Sequence, residues 1–304
     1  MNVSKTVLGL CLFTAFAATA TAGDICKQTA QLQKKATTYE LKEEQKAKIA
    51  TCNNLTDPDA KAACLAEAKV EYEEGKELAK EQYEARLELC DLTGGGAYDP
   101  AIDPDNFGNP ITNPYLPLPV GAVWMYESQT DEGMEVVEVT VLAETREILG
   151  VPCVTVRDVV TLDGVVIEDT LDWYSQDDAG NVWYFGEISF SFADGYVESI
   201  DGSWLAGVEG AKPGIVMLAD PVVGTTYRQE WFLGDAEDAG TVLADDATAT
   251  IDFGTFENCV ETLDFLPTDP EAREHKFYAP GVGFIYETKE GSTETLELVG
   301  FSGL

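Results

Sequence analysis

The chain reads as an α+β protein: an N-terminal disulfide-linked antiparallel two-helix hairpin followed by an antiparallel, strongly curved β-sheet or open barrel. Three observations predict this. Residues 25 to 52 and 59 to 92 are dense in Ala, Leu, Glu, Lys and Gln and contain no proline, the composition of long helices. Four cysteines are spaced symmetrically, 26 residues from Cys26 to Cys52, 12 from Cys52 to Cys64 and 26 from Cys64 to Cys90. Residues 120 to 304 alternate β-branched and aromatic residues with polar ones between turn signals such as Asp163-Gly164, Asp194-Gly195 and Pro280-Gly281.

Residues 1 to 22 carry the marks of a signal peptide: Lys5, an apolar run from Val7 to Ala18 and the small-residue box Ala20-Thr21-Ala22. The apolar run falls short of the roughly 20 residues that span a bilayer. No cysteine directly follows the box, so a soluble exported protein is expected, periplasmic or extracellular. Six cysteines remain after cleavage, and an even set in an exported chain implies disulfides.

Residues 23 to 93 form the expected hairpin. Its second helix has Asp57 as N-cap, Pro58 at the first helical position and Asp59 beside the positive end of the dipole, and Gly94-Gly95-Gly96 ends it. If both arms are helical, Cys26 and Cys52 stand about 39 Å apart at 1.5 Å per residue and cannot join, nor can Cys64 and Cys90. That leaves the rungs Cys26 with Cys90 and Cys52 with Cys64, and Cys153 with Cys259 as the remaining pair. On the second helix Cys64, Ala68, Tyr72, Gly75, Ala79, Tyr83 and Cys90 share one face; on the first, Leu32, Ala36, Tyr39, Ala47 and Ala50 are the expected inner positions. So polar a hairpin buries little, and its cross-links supply stability that its core cannot.

Residues 94 to 119 turn to Gly, Pro, Asn and Asp, with six prolines from Pro100 to Pro119, and read as a linker or wrapping segment. Residues 120 to 304 should then form ten to twelve antiparallel strands. In one of them Leu171 and Trp173 share a face while Asp172 and Tyr174 share the other. A two-sheet sandwich is the alternative closure.

Asp and Glu number 55 against 19 Lys and Arg, a formal charge of −36, which excludes a phosphate-backbone footprint. Apolar residues at 45% and aromatics at 10% imply a substantial core. The single histidine, His275, excludes multi-histidine zinc and iron sites.

The stretches from Asn113 to Glu127, Asp172 to Glu187, Gly254 to Cys259 and His275 to Gly283 carry a resemblance. They look like exported bacterial β-rich proteins of unassigned function, whose cup-like curved sheets resemble those of lipoprotein carriers. The likeness covers residues 113 to 290. It implies a fold, and it carries no catalytic residues.

The candidate binding surface is aromatic. Trp124, Tyr126, Trp173, Tyr174, Trp183, Tyr184, Phe185, Trp204, Trp231 and Phe232 cannot all face one side of a curved sheet, and those facing the concavity would stack on a sugar or hold an apolar guest. Trp124, Tyr126, Tyr174, Trp183, Tyr184, Trp231 and His275 form the candidate ligand-binding set; the same rings would also serve as plain core filling. Asp103, Asp105 and Asn109 resemble the start of a calcium loop in which Phe107 occupies a ligand position. No other cofactor is expected. Glu168, Asp172, Glu187 and Glu230 stand among aromatics and are the carboxylates a glycoside hydrolase would use.

The expected function is therefore non-enzymatic binding of a small apolar, glycan or peptide ligand, with the hairpin as a spacer or protein-docking arm. No nucleic-acid partner and no membrane span are expected. The competing readings are a carbohydrate-active hydrolase and a calcium-dependent surface structural or adhesive protein.

Overall fold

A computed structural model describes residues 23–108 and 110–304. The proposed signal peptide and Asn109 lie outside the described residues.

Helices α1 (Gly23–Asn53) and α2 (Pro58–Leu92) run antiparallel. Asp57 caps α2, its carboxylate accepting the Ala60 amide at 2.8 Å. The disulfides Cys26–Cys90 and Cys52–Cys64 close the two ends of the hairpin. Between them Ala68 and Ala79 of α2 are buried, and the Gly75 backbone lies against Leu41, leaving a Cβ there no room beside the Leu41 side chain. The inner face of α1 differs from the expected one, since Leu32 and Tyr39 are exposed, 64% and 67%, and so are Ala47 and Ala50. The two cysteines decide the facing: stepping from Cys26 by three or four brings Ala30, Thr37, Leu41, Lys48 and Cys52 inward and turns Tyr39 out.

The remaining chain forms one antiparallel sheet, its strands β1 (Phe107–Gly108), β2 (Val123–Gln129), β3 (Met134–Ile148), β4 (Val151–Leu162), β5 (Val165–Asp177), β6 (Val182–Ala193), β7 (Tyr196–Ser199), β8 (Trp204–Leu205), β9 (Lys212–Met217), β10 (Thr226–Arg228), β11 (Glu230–Trp231), β12 (Ala239–Ile251), β13 (Gly254–Phe265), β14 (Arg273–Ala279), β15 (Gly283–Lys289) and β16 (Thr295–Ser302). The main ladder runs β10-β12-β13-β14-β15-β16-β2-β3-β4-β5-β6-β9-β11, a nearly closed barrel rather than a sandwich. The strands exceed the expected number because β7, β8, β10 and β11 are fragments of two to four residues.

Closure rests on a single stretch of chain. Residues 226 to 228 pair with β12, and Glu230 and Trp231 pair with β9, so the chain hands over from one edge of the sheet to the other at Gln229. Gly214 of β9 makes the seam possible, because a Cβ there would sit 2.4 Å from the Gln229 carbonyl carbon and 2.5 Å from the Arg228 oxygen.

Alternation sets the two faces of the sheet. Trp124, Tyr126, Val137, Val141, Val154, Val156, Val260 and Leu298 build the interior core. Ile148, Cys153, Trp173, Phe185 and Trp204 form a second cluster, against which Ile102 and Phe107 of the 94–119 segment pack. Leu89 of α2 packs with Ala239 and Phe265. Cys153 and Cys259 are free, correcting the expected third disulfide. Cys153 on β4 belongs to the second cluster and Cys259 on β13 to the interior core, on strands that are not neighbours. An even count does not pair cysteines that the sheet assigns to separate cores.

Candidate functional site

The Pro-rich segment does more than connect. Asn113 is buried and stapled to the barrel rim: its amide donates to Gly180 O at 3.0 Å and Leu218 O at 3.1 Å, while its own backbone amide donates to Gln176 Oε1 at 2.9 Å. Gly281 donates to Pro114 O at 2.7 Å. These bonds hold Leu116, Pro117 and Leu118 over the barrel interior.

Beneath them lies a cavity of about 310 Å³. Its aromatic wall comprises Trp124, Tyr126, Tyr174, Tyr278 and Phe284. The polar tips of two of these rings are bound by backbone: Trp124 Nε1 donates to Val282 O at 2.8 Å and the Tyr126 hydroxyl to Phe284 O at 3.1 Å. Each ring is thereby fixed in place while its body lines the cavity.

Six polar side chains enter the same space: Asp158, Asp172, Gln229, Asp264, Lys276 and Glu287. Asp158 and Asp172 lie on adjacent strands of one wall, where Val156 faces Asp172 and Asp158 faces Thr170. Burial, together with neighbouring carboxylates, pushes each of them up to about 8. The Tyr184 hydroxyl donates to Asp172 Oδ1 at 2.6 Å and offsets part of that rise. Across the barrel, Lys276 lies 3.5 Å from Asp264 Oδ2, 3.2 Å from Glu274 and 3.7 Å from Glu287. Burial opposes its charge, but these carboxylates outweigh burial and hold its ammonium well above the usual lysine range. Gln229 Nε2 donates to Asp264 Oδ2 at 2.8 Å, and Asp264 Oδ1 is buried without a partner.

No protein-family model and no curated protein matches the chain. It is similar to a crystal structure described as a "putative lipoprotein" from Parabacteroides distasonis ATCC 8503, at 12% identity and a TM-score of 0.34, covering 62% of this chain and 98% of that one. So loose a likeness bears on neither fold nor function.

Of the aromatic set read from the sequence, Trp124, Tyr126 and Tyr174 line the cavity. Tyr184 backs it, stacked on Tyr174 with ring centroids 4.8 Å apart. Trp183 lies elsewhere, its indole nitrogen donating to Asp177 Oδ2 at 2.8 Å and its ring against Phe107. Trp231 lines a separate cavity beside the hairpin. His275 sits between Lys276 and Glu274 on the opposite face from the cavity-lining Lys276, with Nδ1 2.8 Å from Glu261 Oε1. The displacements of Trp183 and His275 follow from period two, which sends neighbouring residues to opposite faces. Asp103 caps a short 3-10 turn (Pro104–Asn106), accepting the Asp105 amide at 3.2 Å, and Asn109 lies outside the described residues.

Asp172 apart, the polar lining was missed. In β4, Val154, Val156 and Asp158 alternate inward, so Asp158 breaks an apolar face; Lys276 and Tyr278 share a face in the same way. A polar residue on an otherwise apolar period-two face was the available signal.

Proposed function

We propose that this is an exported, non-enzymatic binding protein whose barrel receives one small, largely apolar guest with a polar head. The observation carrying the reading is the cavity of about 310 Å³ walled by Trp124, Tyr126, Tyr174, Tyr278 and Phe284. Packed interiors leave few voids larger than a water molecule. A space of this size falls at the small end of ligand pockets, which suits a compact guest better than a polymer.

The rings supply apolar and stacking contact, and Asp158 and Asp172 meet the head. Carboxyl groups raised to about 8 are largely protonated at neutral pH, so each offers both a donor and an acceptor. Export is supported by the two disulfides, which persist in oxidising compartments. A hydrolase would need two carboxylates flanking the scissile bond. Of the four carboxylates the sequence offered for that role only Asp172 lines the cavity; Glu168, Glu187 and Glu230 do not.

Native mass spectrometry of the protein purified from its own host tests the proposal, with one small molecule per chain as the expected extra mass. The neutral probe N-phenyl-1-naphthylamine is expected to bind saturably at one per chain and to be excluded by Val156→Trp, which fills the cavity. A host-purified protein with no added mass, combined with no saturable probe binding, overturns the reading.

A further inference from the structure

A second cavity, about 190 Å³, lies where the hairpin meets the barrel, and it shares no lining residue with the first. Arg86, Arg228 and Lys212 all face it, beside Tyr98, Trp231 and the cysteines of the Cys26–Cys90 disulfide. In a chain with only 19 Lys and Arg against 55 Asp and Glu, three cations gathered in one crevice demand a charge account.

Two of the three are balanced. Glu237 is committed to Arg86, which donates to it from Nε at 2.9 Å and from Nη2 at 2.6 Å, and it also accepts the Gly234 amide at 2.8 Å. Lys212 donates to Asp99 Oδ1 at 2.8 Å and to Tyr98 O at 2.7 Å. Arg228 has no such partner. It is buried, its Nη2 reaches only Cys26 Sγ at 3.8 Å, and its guanidinium carbon stands 5.7 Å from the centroid of the Tyr98 ring. Among the described residues no carboxylate forms an ion pair with it. The Nη1 groups of Arg228 and of Arg86 are both buried without an acceptor.

A guanidinium does not escape such burial by losing its proton, so its charge must be met by something. Burial, reinforced by the nearby Arg86 and opposed by Glu237 and Tyr98, holds Arg228 below the usual arginine value. We infer that this crevice is a binding site for a small oxyanion, a carboxylate or a phosphate-type group, which accepts hydrogen bonds from the free Nη1 groups of Arg228 and Arg86. The planar fork of a guanidinium matches the oxygen spacing of both anions. A bound anion would also tie the base of the hairpin to the barrel, because Arg86 belongs to α2 and Arg228 to β10.

The test is isothermal titration of the intact disulfide-bonded protein with sodium phosphate and, separately, with sodium acetate, in chloride buffer at fixed ionic strength. A saturable event with one site per chain is expected, and the anion that binds more tightly identifies whether phosphate or carboxylate is the preferred chemistry. Arg228→Met should abolish the event. Arg228→Lys, which keeps the charge and loses the fork, should weaken it by about tenfold or more. Both variants should still bind N-phenyl-1-naphthylamine in the barrel, which separates loss of this site from loss of the fold. No saturable heat with either anion, or a response that both variants leave unchanged, overturns the inference.

Discussion

The Arg86 guanidinium of α2 grips the Glu237 carboxylate of the barrel through three hydrogen bonds of 2.6 to 3.0 Å, with both side chains almost wholly buried. Around this pair lie two more joints between hairpin and barrel: Gln82 donating to Thr268 O at 2.7 Å, and Leu89 packed on Ala239 and Phe265. All three sit in the last third of α2, so the distal length of the hairpin stands away from the barrel.

Removing one partner of a buried pair strands the other charge, and Arg86→Met or Glu237→Gln is expected to cost about 3–5 kcal/mol in urea unfolding. The exposed pair Lys80 and Glu77, on the same helix, should leave the midpoint where it was when either member is changed. Equal effects from the two pairs would refute the view that α2 docks through Arg86.

The disulfides should act on different parts of the hairpin. Replacing Cys52 and Cys64 by serine frees the distal turn, far from the barrel contacts, and is expected to raise amide exchange near residues 48 to 66 while the barrel amides stay protected. Replacing Cys26 and Cys90 opens a closure of 64 residues at the docked end, with an expected loss of about 2–4 kcal/mol. Barrel amides exposed by the first change would contradict this division.

Cys153 and Cys259 are buried thiols, and burial pushes Cys153 up to about 12. The thiolate is the reactive form, so native protein should resist iodoacetamide at pH 8 and take up two labels once unfolded in guanidinium. Peptide mapping that found the two joined would return the third disulfide.

Stability should fall as pH rises through the neutral range. Asp158 and Asp172 are raised from the ordinary carboxyl range to about 8, and Glu187 to about 7, chiefly by burial. A raised carboxyl binds its proton more tightly in the folded state, so its contribution is complete below about pH 4 and is lost as pH climbs through the folded value. Urea midpoints at pH 5.5, 7 and 8.5 should therefore descend. Asp158→Asn and Asp172→Asn should flatten that descent. A midpoint that rises from pH 5.5 to 8.5 would show that these carboxyls ionise freely in the folded barrel.

Much of the architecture is legible without coordinates. The cysteine spacing and proline-free runs specify the hairpin and its two rungs, because helical rise sets which cysteines can meet. The caps Asp57 and Pro58 are local chemistry and fall where the sequence puts them. Period-two patterning likewise predicts that Asp172 and Tyr174 share a face apart from Trp173, as the cavity lining and the second cluster show.

The rest belongs to the tertiary structure. Tyr39 turns outward because Cys26 and Cys52 orient α1, a constraint imposed by the partner helix. Cys153 and Cys259 stay apart because curvature divides the sheet into two cores. Asp158 on β4 and Lys276 on β14 share one cavity although more than a hundred residues separate them, and Arg86 meets Glu237 across 151 residues. Local patterns state which face a side chain takes; only closure of the ladder brings distant faces together and decides how much space is left between them.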